Sequence, residues 1–283
     1  MISIIIPAHN EATVIGRCLR SLLDGAAPGE LEIIVVCNGC QDQTAGVARS
    51  FAGVKVIETA TASKSHALNL GDKAASGFPR FFIDADVVLP RASLLAAAKA
   101  LEDEQTLAAA PRMEVDLSAS NGFVRAFYRI WTQLPYFRDG MIGSGAYGLS
   151  EAGRRRFDAF PAITADDAFV RLHFTAGERR TLHDCTFRVT APRTLRGVVK
   201  IKTRGHFGNF ELNKRYPHLL ANNETRHGGA LLALFRRPGL WPSLAIYLYV
   251  RGASRLLSYH RYRFGDHRHW ERDDTSRQPV TSV

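Results

Sequence analysis

Cysteine is scarce: four residues, at positions 18, 37, 40 and 185, without disulfide-framework spacing. That excludes a disulfide-stapled scaffold and fits a reducing cytosol. Cys37-Asn38-Gly39-Cys40 has CxxC spacing, but a structural zinc site needs four ligands and no second pair exists. A tight turn at Gly39, with Asp42 opening the next helix, is the preferred reading over a redox dithiol. Long apolar runs are also lacking. Leu231–Phe235 is cut by Arg236-Arg237-Pro238, and Gly239–Val250 falls short of the roughly 20 residues that cross a bilayer. Met1 leads straight into Ile2-Ser3-Ile4-Ile5-Ile6 with no basic leader, so the expectation is a cytoplasmic chain. No internal repeat or low-complexity stretch is visible.

Acidic residues are short in the last third. The 283-residue chain carries a net charge of +10, and residues 193–283 hold 17 Lys and Arg against 6 Asp and Glu. The preceding 192 residues hold 20 against 21, so all the positive excess lies in that last third. Such a segment implies an anionic partner: a membrane surface, a phosphorylated lipid or nucleic acid. Trp241, Tyr247 and Tyr249, flanked by Arg236, Arg237, Arg251 and Arg255, suit a helix lying on a membrane interface. A helix packed on the catalytic domain has the same pattern, and both readings stand.

The first hundred residues alternate strand and helix. Ile2–Ile6, Leu31–Val36, Val54–Ile57 and Arg80–Ile83 read as buried strands. Helices are expected over 11–23, 42–51 and 63–75. This alternation predicts an α/β domain with a mostly parallel sheet covered on both faces, and a ligand beyond the carboxyl ends of the strands. Residues 107–115 read as a strand, and 123–134 and 166–176 as helices. After Pro192 the chain is basic and helical to about residue 262, with a loose polar tail over 265–283. The expected domains are residues 1–205, divided near 115 into nucleotide and acceptor halves, and a basic extension over 206–283.

Polar clusters fall at the strand exits. Asp84 and Asp86 follow the apolar run Phe81-Phe82-Ile83, and alternate residues of an extended chain point the same way. Two convergent carboxylates suit Mg²⁺ or Mn²⁺ carrying phosphates. A polar strand end that starts a turn is the plain alternative. Pro7, His9, Asn10 and Glu11 follow strand one, where they either hold a nucleotide or cap a helix. Gly143-Ser144-Gly145-Ala146-Tyr147-Gly148 spells GxGxxG, but Arg154-Arg155-Arg156 stands where a dinucleotide fingerprint needs an apolar helix. It remains a loop whose small residues let backbone amides approach a ligand. Asp166 and Asp167 are helix caps or, for one of them, a general base. Arg204 suits a phosphate or a surface salt bridge. His206 is an ordinary core or surface histidine or, less often, a ligand.

Taken in order, these pieces over residues 1–205 resemble the family 2 glycosyltransferases of GT-A fold. The opening is similar to Ser3-Ile4-Ile5-Ile6-Pro7-Ala8-His9-Asn10-Glu11. A lysine-alanine-leucine-asparagine element resembles Lys64-Ser65-His66-Ala67-Leu68-Asn69, and the metal motif resembles Asp84-Ala85-Asp86. The acceptor-side loop resembles Gly143 to Ser150, and the acidic pair carrying the base resembles Asp166-Asp167. Cys37-Asn38 replaces the usual aspartate pair, so the uracil-reading aspartate is unmatched. The tryptophan of processive members is absent near Lys200–Gly205, which leaves polymer synthesis unsupported. Trp270-Glu271-Arg272-Asp273-Asp274 is similar to tails of some bacterial members linked to surface polysaccharide.

The resemblance implies an inverting, metal-dependent glycosyltransferase using a nucleotide-diphosphate sugar, and the basic last third suggests a peripheral place on the inner face of the cell membrane. The acceptor would be a sugar or a lipid-linked hydroxyl, in bacterial surface polysaccharide or glycolipid synthesis. Pro7, His9, Asn10, Glu11, Asn38, Lys64, Asp84 and Arg204 are then expected at the donor nucleotide. Asp86, Asp84 and His206 are the expected ligands of Mn²⁺ or Mg²⁺. Gly143, Ser144 and Gly145 face the acceptor, and Asp167, beside Asp166, is the base. The rivals are a sugar nucleotidyltransferase, a silent nucleotide- or anion-binding protein on the same fold, and a nucleic-acid binder. The last leaves Asp84 and Asp86 unexplained.

Overall fold

Four runs of apolar, largely β-branched residues form parallel strands: β1 (Ile2–Ala8), β2 (Leu31–Asn38), β3 (Val54–Thr59) and β4 (Arg80–Ile83). β1 lies between β2 and β4, with Ile4 beside Ile33 on one side and Phe81 on the other. Ile4, Ile5, Ile6, Ile34 and Val35 are wholly buried, because helices cover both faces of a parallel sheet and leave no side for polar residues. The covering helices are α1 (Ile15–Leu23), α2 (Thr44–Arg49), α3 (Lys64–Ala74) and α4 (Arg91–Ala100).

The computed structural model describes residues 1–135, 137, 144–223, 228–264 and 275. The expectations for Gly143, for the Trp270–Asp274 tail and for most of 265–283 lie outside the described residues. Three more strands complete a seven-stranded mixed sheet of order β3-β2-β1-β4-β6-β5-β7. They are β5 (Ala108–Asp116), β6 (Ala146–Leu149) and β7 (Arg179–Thr190). β6 runs antiparallel to both β4 and β5. Between β6 and β7 lie α6 (Glu151–Arg154) and α7 (Asp166–Leu172). Strand order reverses between β1 and β4, which opens a crevice at their carboxyl ends.

The chain divides into two compact units. The first comprises Met1–Glu114, Ile142–Ala162 and Asp166–Val189; the second comprises Val115–Met141, Ile163–Ala165 and Thr190–Val283. The second unit is helical, as the sequence after Pro192 suggests. It is built on α5 (Gly122–Trp131), α8 (Leu195–Arg215), α9 (Gly228–Phe235) and α10 (Trp241–Phe264). Phe127, Ile130, Val198, Leu244, Tyr247 and Val250 form its core. The boundary expected at residue 205 falls inside α8.

Helix α1 starts four residues later than its periodicity suggests. Asn10 is in the left-handed region at φ 53°. The Glu11 carbonyl then accepts hydrogen bonds from the Val14 and Ile15 amides, making a turn before the helix begins.

Candidate active site

The crevice beyond β1 and β4 is lined by Pro7 of β1, Phe82 and Ile83 of β4, and Asp84. Lys64 and Leu68 of α3, Gly145 and Tyr147 beside and on β6, and Asp166 and Asp167 opening α7 complete it. All of these belong to the first unit. Sequence positions 7, 64, 84, 145, 166 and 167 are thus brought to one cavity.

Each charged residue arrives through a local device. Ser63 caps α3, its hydroxyl accepting from the His66 amide, which sets Lys64 at the first helical position. Asn69, five residues further on, exchanges two hydrogen bonds with the Phe160 backbone, at 2.9 and 2.8 Å. That reciprocal pair ties the segment leading toward α7 to α3. The Asp84 amide donates to the Gly145 carbonyl at 2.8 Å, extending the β4–β6 pairing by one residue. Gly145 sits at φ +105°, a backbone region in which a side chain is strained, and a Cβ there would lie 3.0 Å from Val87.

The extended-strand argument for Asp84 and Asp86 stops at Ile83. The Asp84 carbonyl accepts from the Val87 amide at 3.1 Å, so the two carboxylates sit in a turn rather than along a strand. Both carboxylates raise the pKa of the buried Cys18 thiol, behind the larger effect of its burial.

Lys64 is the hub. Its Nζ lies 2.8 Å from Asp84 Oδ1 and 3.1 Å from Asp166 Oδ2. Burial works against its charged form, but Asp166 and Asp84 outweigh burial and hold its pKa above the usual lysine value. Asp166 is 6% exposed. Burial drives its pKa up to about 6 against the pull of Lys64, with Asp167 and Asp84 adding to the rise. Asp167 is less buried, faces the cavity, and accepts one hydrogen bond from the Ala168 amide at 2.7 Å.

Tyr147 was not among the expected site residues. It is 4% exposed, stacks on Phe82 at 5.3 Å, and its hydroxyl has no hydrogen-bond partner among the described residues. Burial, then Asp166, Asp167 and Asp84, hold its pKa well above that of a free tyrosine, so it is a neutral donor. The only sequence signal was its place one strand step beyond Gly145.

The remaining expected donor residues brace one another. Asn38 Nδ2 donates to the Ala8 carbonyl at 2.9 Å, and His9 Nδ1 meets the Asn38 carbonyl. Asn10 Oδ1 accepts from the Gln41 amide at 2.7 Å. The buried Glu11 receives its backbone support from Thr44, whose Oγ1 accepts the Glu11 amide at 2.8 Å. Gly39, at φ +60°, makes the tight turn expected of it. Cys37 and Cys40 are unbridged thiols, and burial, with Cys40 beside it, pushes Cys37 up to about 12. Ser144 precedes Gly145 at the start of β6. Arg204 and His206 lie on α8, in the second unit. Burial, then Arg255, Lys202 and Arg251, push the His206 pKa down to about 4.

Among the described residues no group of three or more His, Cys, Asp or Glu could hold a metal by itself. Mg²⁺ and Mn²⁺ do not require one, since they keep waters and bind through one or two carboxylates plus substrate phosphates. Asp84 and Asp86 supply that donor set, and the carboxylates around Lys64 outnumber its single positive charge. The residues present fit a divalent cation that arrives with a diphosphate.

The sequence model of glycosyl transferase family 2 matches residues 3–159, more than half of the chain. The chain belongs to glycosyl transferase family 2. A relative, 4,4'-diaponeurosporenoate glycosyltransferase of Staphylococcus aureus (strain MRSA252), is 30% identical over 171 residues, covering 58% of this chain and 43% of the relative. The chain therefore spans less than half the length of the curated relatives it matches. Two solved structures share the GT-A fold. Mannosyltransferase PcManGT from Pyrobaculum calidifontis, in complex with GDP-Man and Mn²⁺, has a TM-score of 0.61 at 19% identity over 94% of this chain and 76% of that one. S. aureus TarS 1-349 in complex with UDP-GlcNAc has a TM-score of 0.56 at 17% identity over 95% and 93%. At these identities the likeness is one of fold.

Proposed function

We propose that this family 2 chain transfers a sugar from a nucleotide-diphosphate sugar to an acceptor hydroxyl with inversion. Bacterial glycolipid or surface polysaccharide synthesis is the setting this reading favours, the first for the kind of product the S. aureus relative's name describes. The observation that carries the reading is the shared cavity of Lys64, Asp84, Asp166 and Asp167 at the carboxyl ends of β1 and β4.

The geometry supports a distinct role for each of these residues. Asp167, with its carboxylate on the cavity, takes the proton of the acceptor hydroxyl as that oxygen attacks the anomeric carbon. The bond from that carbon to the diphosphate oxygen breaks, and one displacement inverts the centre. Lys64 holds Asp84 and Asp166 in place through its two ion pairs. Tyr147, an unpaired donor in the cavity wall, offers a hydrogen bond to a substrate oxygen. Asp86 and Asp84 would hold Mn²⁺ or Mg²⁺, which when bound neutralises charge on the leaving diphosphate. His9, Asn10 and Asn38, at the carboxyl ends of β1 and β2, would hold the nucleoside.

Calorimetric titration with uridine, guanosine and thymidine diphosphate sugars, with and without Mn²⁺, tests this reading on the wild type and Asp86→Ala. One donor binding in a Mn²⁺-dependent manner, lost in the variant, is expected. No binding of any donor would overturn the proposal.

A further inference from the structure

Helix α10 carries apolar bulk on both sides. Its buried positions are Ser243, Leu244, Tyr247, Val250, Ser254 and Ser258, with Val250, Ser254 and Ser258 wholly buried. Ser254 and Ser258 satisfy their hydroxyls on the Arg251 and Arg255 carbonyls, at 3.3 and 3.0 Å, so burying them leaves no orphaned donor. The outward face is apolar as well. Trp241 is 58% exposed, Leu248 42%, Leu256 71% and Tyr259 54%. Positions 241, 245, 248, 252, 256 and 259 recur at helical spacing, so the apolar side chains form one stripe. A helix that packs a core on one side and exposes a contiguous stripe of large apolar side chains on the other presents a second face that calls for an apolar partner. Helix α9 adds Leu232 at 61% and Phe235 at 45% exposure, in a segment with no charged residue.

Charge selects the partner. From Gly228 to Phe264 there are six arginines and no acidic residue. Arg236, Arg237, Arg255 and Arg263 are exposed around the apolar stripe. No described helix is long and apolar enough to cross a membrane. We propose that α9 and the outward face of α10 form a docking surface for an anionic lipid bilayer, on which the chain lies without crossing. This inference is independent of the sugar-transfer reading, since it needs only lipid. A protein partner of ordinary composition would meet a rim of uncompensated arginines; a second copy of this chain would set those arginines against each other.

The test is co-sedimentation of the full chain with vesicles of phosphatidylglycerol and phosphatidylcholine in equal parts, and with phosphatidylcholine alone. The wild type is expected to pellet with the mixed vesicles far more than with the neutral ones, and to be released by high salt. Leu248→Gln combined with Leu256→Gln should lower the partition coefficient roughly tenfold or more. Arg236→Gln with Arg237→Gln should weaken binding to the mixed vesicles only. Thermal unfolding of the leucine variant should match the wild type; a large loss of stability would show the face is covered within the protein and overturn the proposal. Wild type left in the supernatant with both vesicle types, or leucine variants that bind undiminished, would also overturn it. So would a wild-type dimer in sedimentation velocity that the leucine variants dissolve, which would assign the face to a second copy.

Discussion

Replacing Lys64 with Met should destabilise the protein in a pH-dependent manner. Lys64 lies 2.8 Å from Asp84 and 3.1 Å from Asp166, with side-chain exposures of 26%, 37% and 9% respectively. At an effective dielectric of ~20, each contact is worth about 5 kcal/mol of attraction. Desolvation of Lys64 and solvent screening at Asp84 offset more than half of that, leaving a net cost of about 3 kcal/mol near neutral pH. The sign of the pH effect comes from Asp166. Its pKa in the fold is raised to about 6 by burial, so the unfolded chain ionises this group first as pH rises. Stability from Asp166 is therefore greatest at low pH, falls between the ordinary carboxylate value and about 6, and levels off above. Without Lys64 the folded pKa climbs further and the fall continues past that point. Below it Asp166 is already protonated and Lys64 has one anionic partner fewer, so the cost shrinks to about 1.5 kcal/mol. Urea denaturation of wild type and variant at about pH 5 and about pH 7.5 measures both values. An equal cost at the two pH values would refute the coupling of Lys64 to Asp166.

Tyr147→Phe should stabilise the ligand-free protein slightly, by up to about 1 kcal/mol, because it removes a buried hydroxyl with no partner among the described residues. The same variant should lower kcat/KM roughly tenfold if that hydroxyl meets substrate; a destabilised variant with unchanged kinetics would remove Tyr147 from the site. Asp72 bonds Arg80 at 2.8 Å and Arg154 at 2.8 Å with all three side chains under 15% exposed. Asp72→Asn should cost about 3 kcal/mol in urea unfolding by stranding two guanidinium groups, and a loss near zero would show the network is solvated.

What the sequence disclosed follows from burial. β1 and β2 are covered on both faces, so their apolar runs are continuous and unambiguous. β7 has one wholly buried residue, Phe187, in a stretch carrying charge on both sides, so neither alternation nor an apolar run marks it. β6 was hidden inside a glycine-rich segment whose letters suggest a loop. Asp84, Asp166 and Asp167 were legible because charge at strand exits and helix starts is informative in order, and Lys64 entered only through the family resemblance. Their convergence on one ammonium was not, since Lys64 and Asp166 are a hundred residues apart. Tyr147 escaped notice because a tyrosine in a strand is usually core; only the missing partner for its hydroxyl reveals it. The exposed apolar face of α10 was invisible for a different reason. Helical periodicity shows that two faces differ, and only the fold shows which one is buried.

The central claim is that this chain carries out glycosyl transfer with Asp167 as the proton acceptor. Single-turnover kinetics with the donor identified by calorimetry, comparing wild type with Asp167→Asn, tests it most directly. The account predicts that the rate of the chemical step falls roughly 10²–10⁴-fold while donor affinity changes less than about threefold. A variant that transfers sugar at the wild-type rate would contradict it.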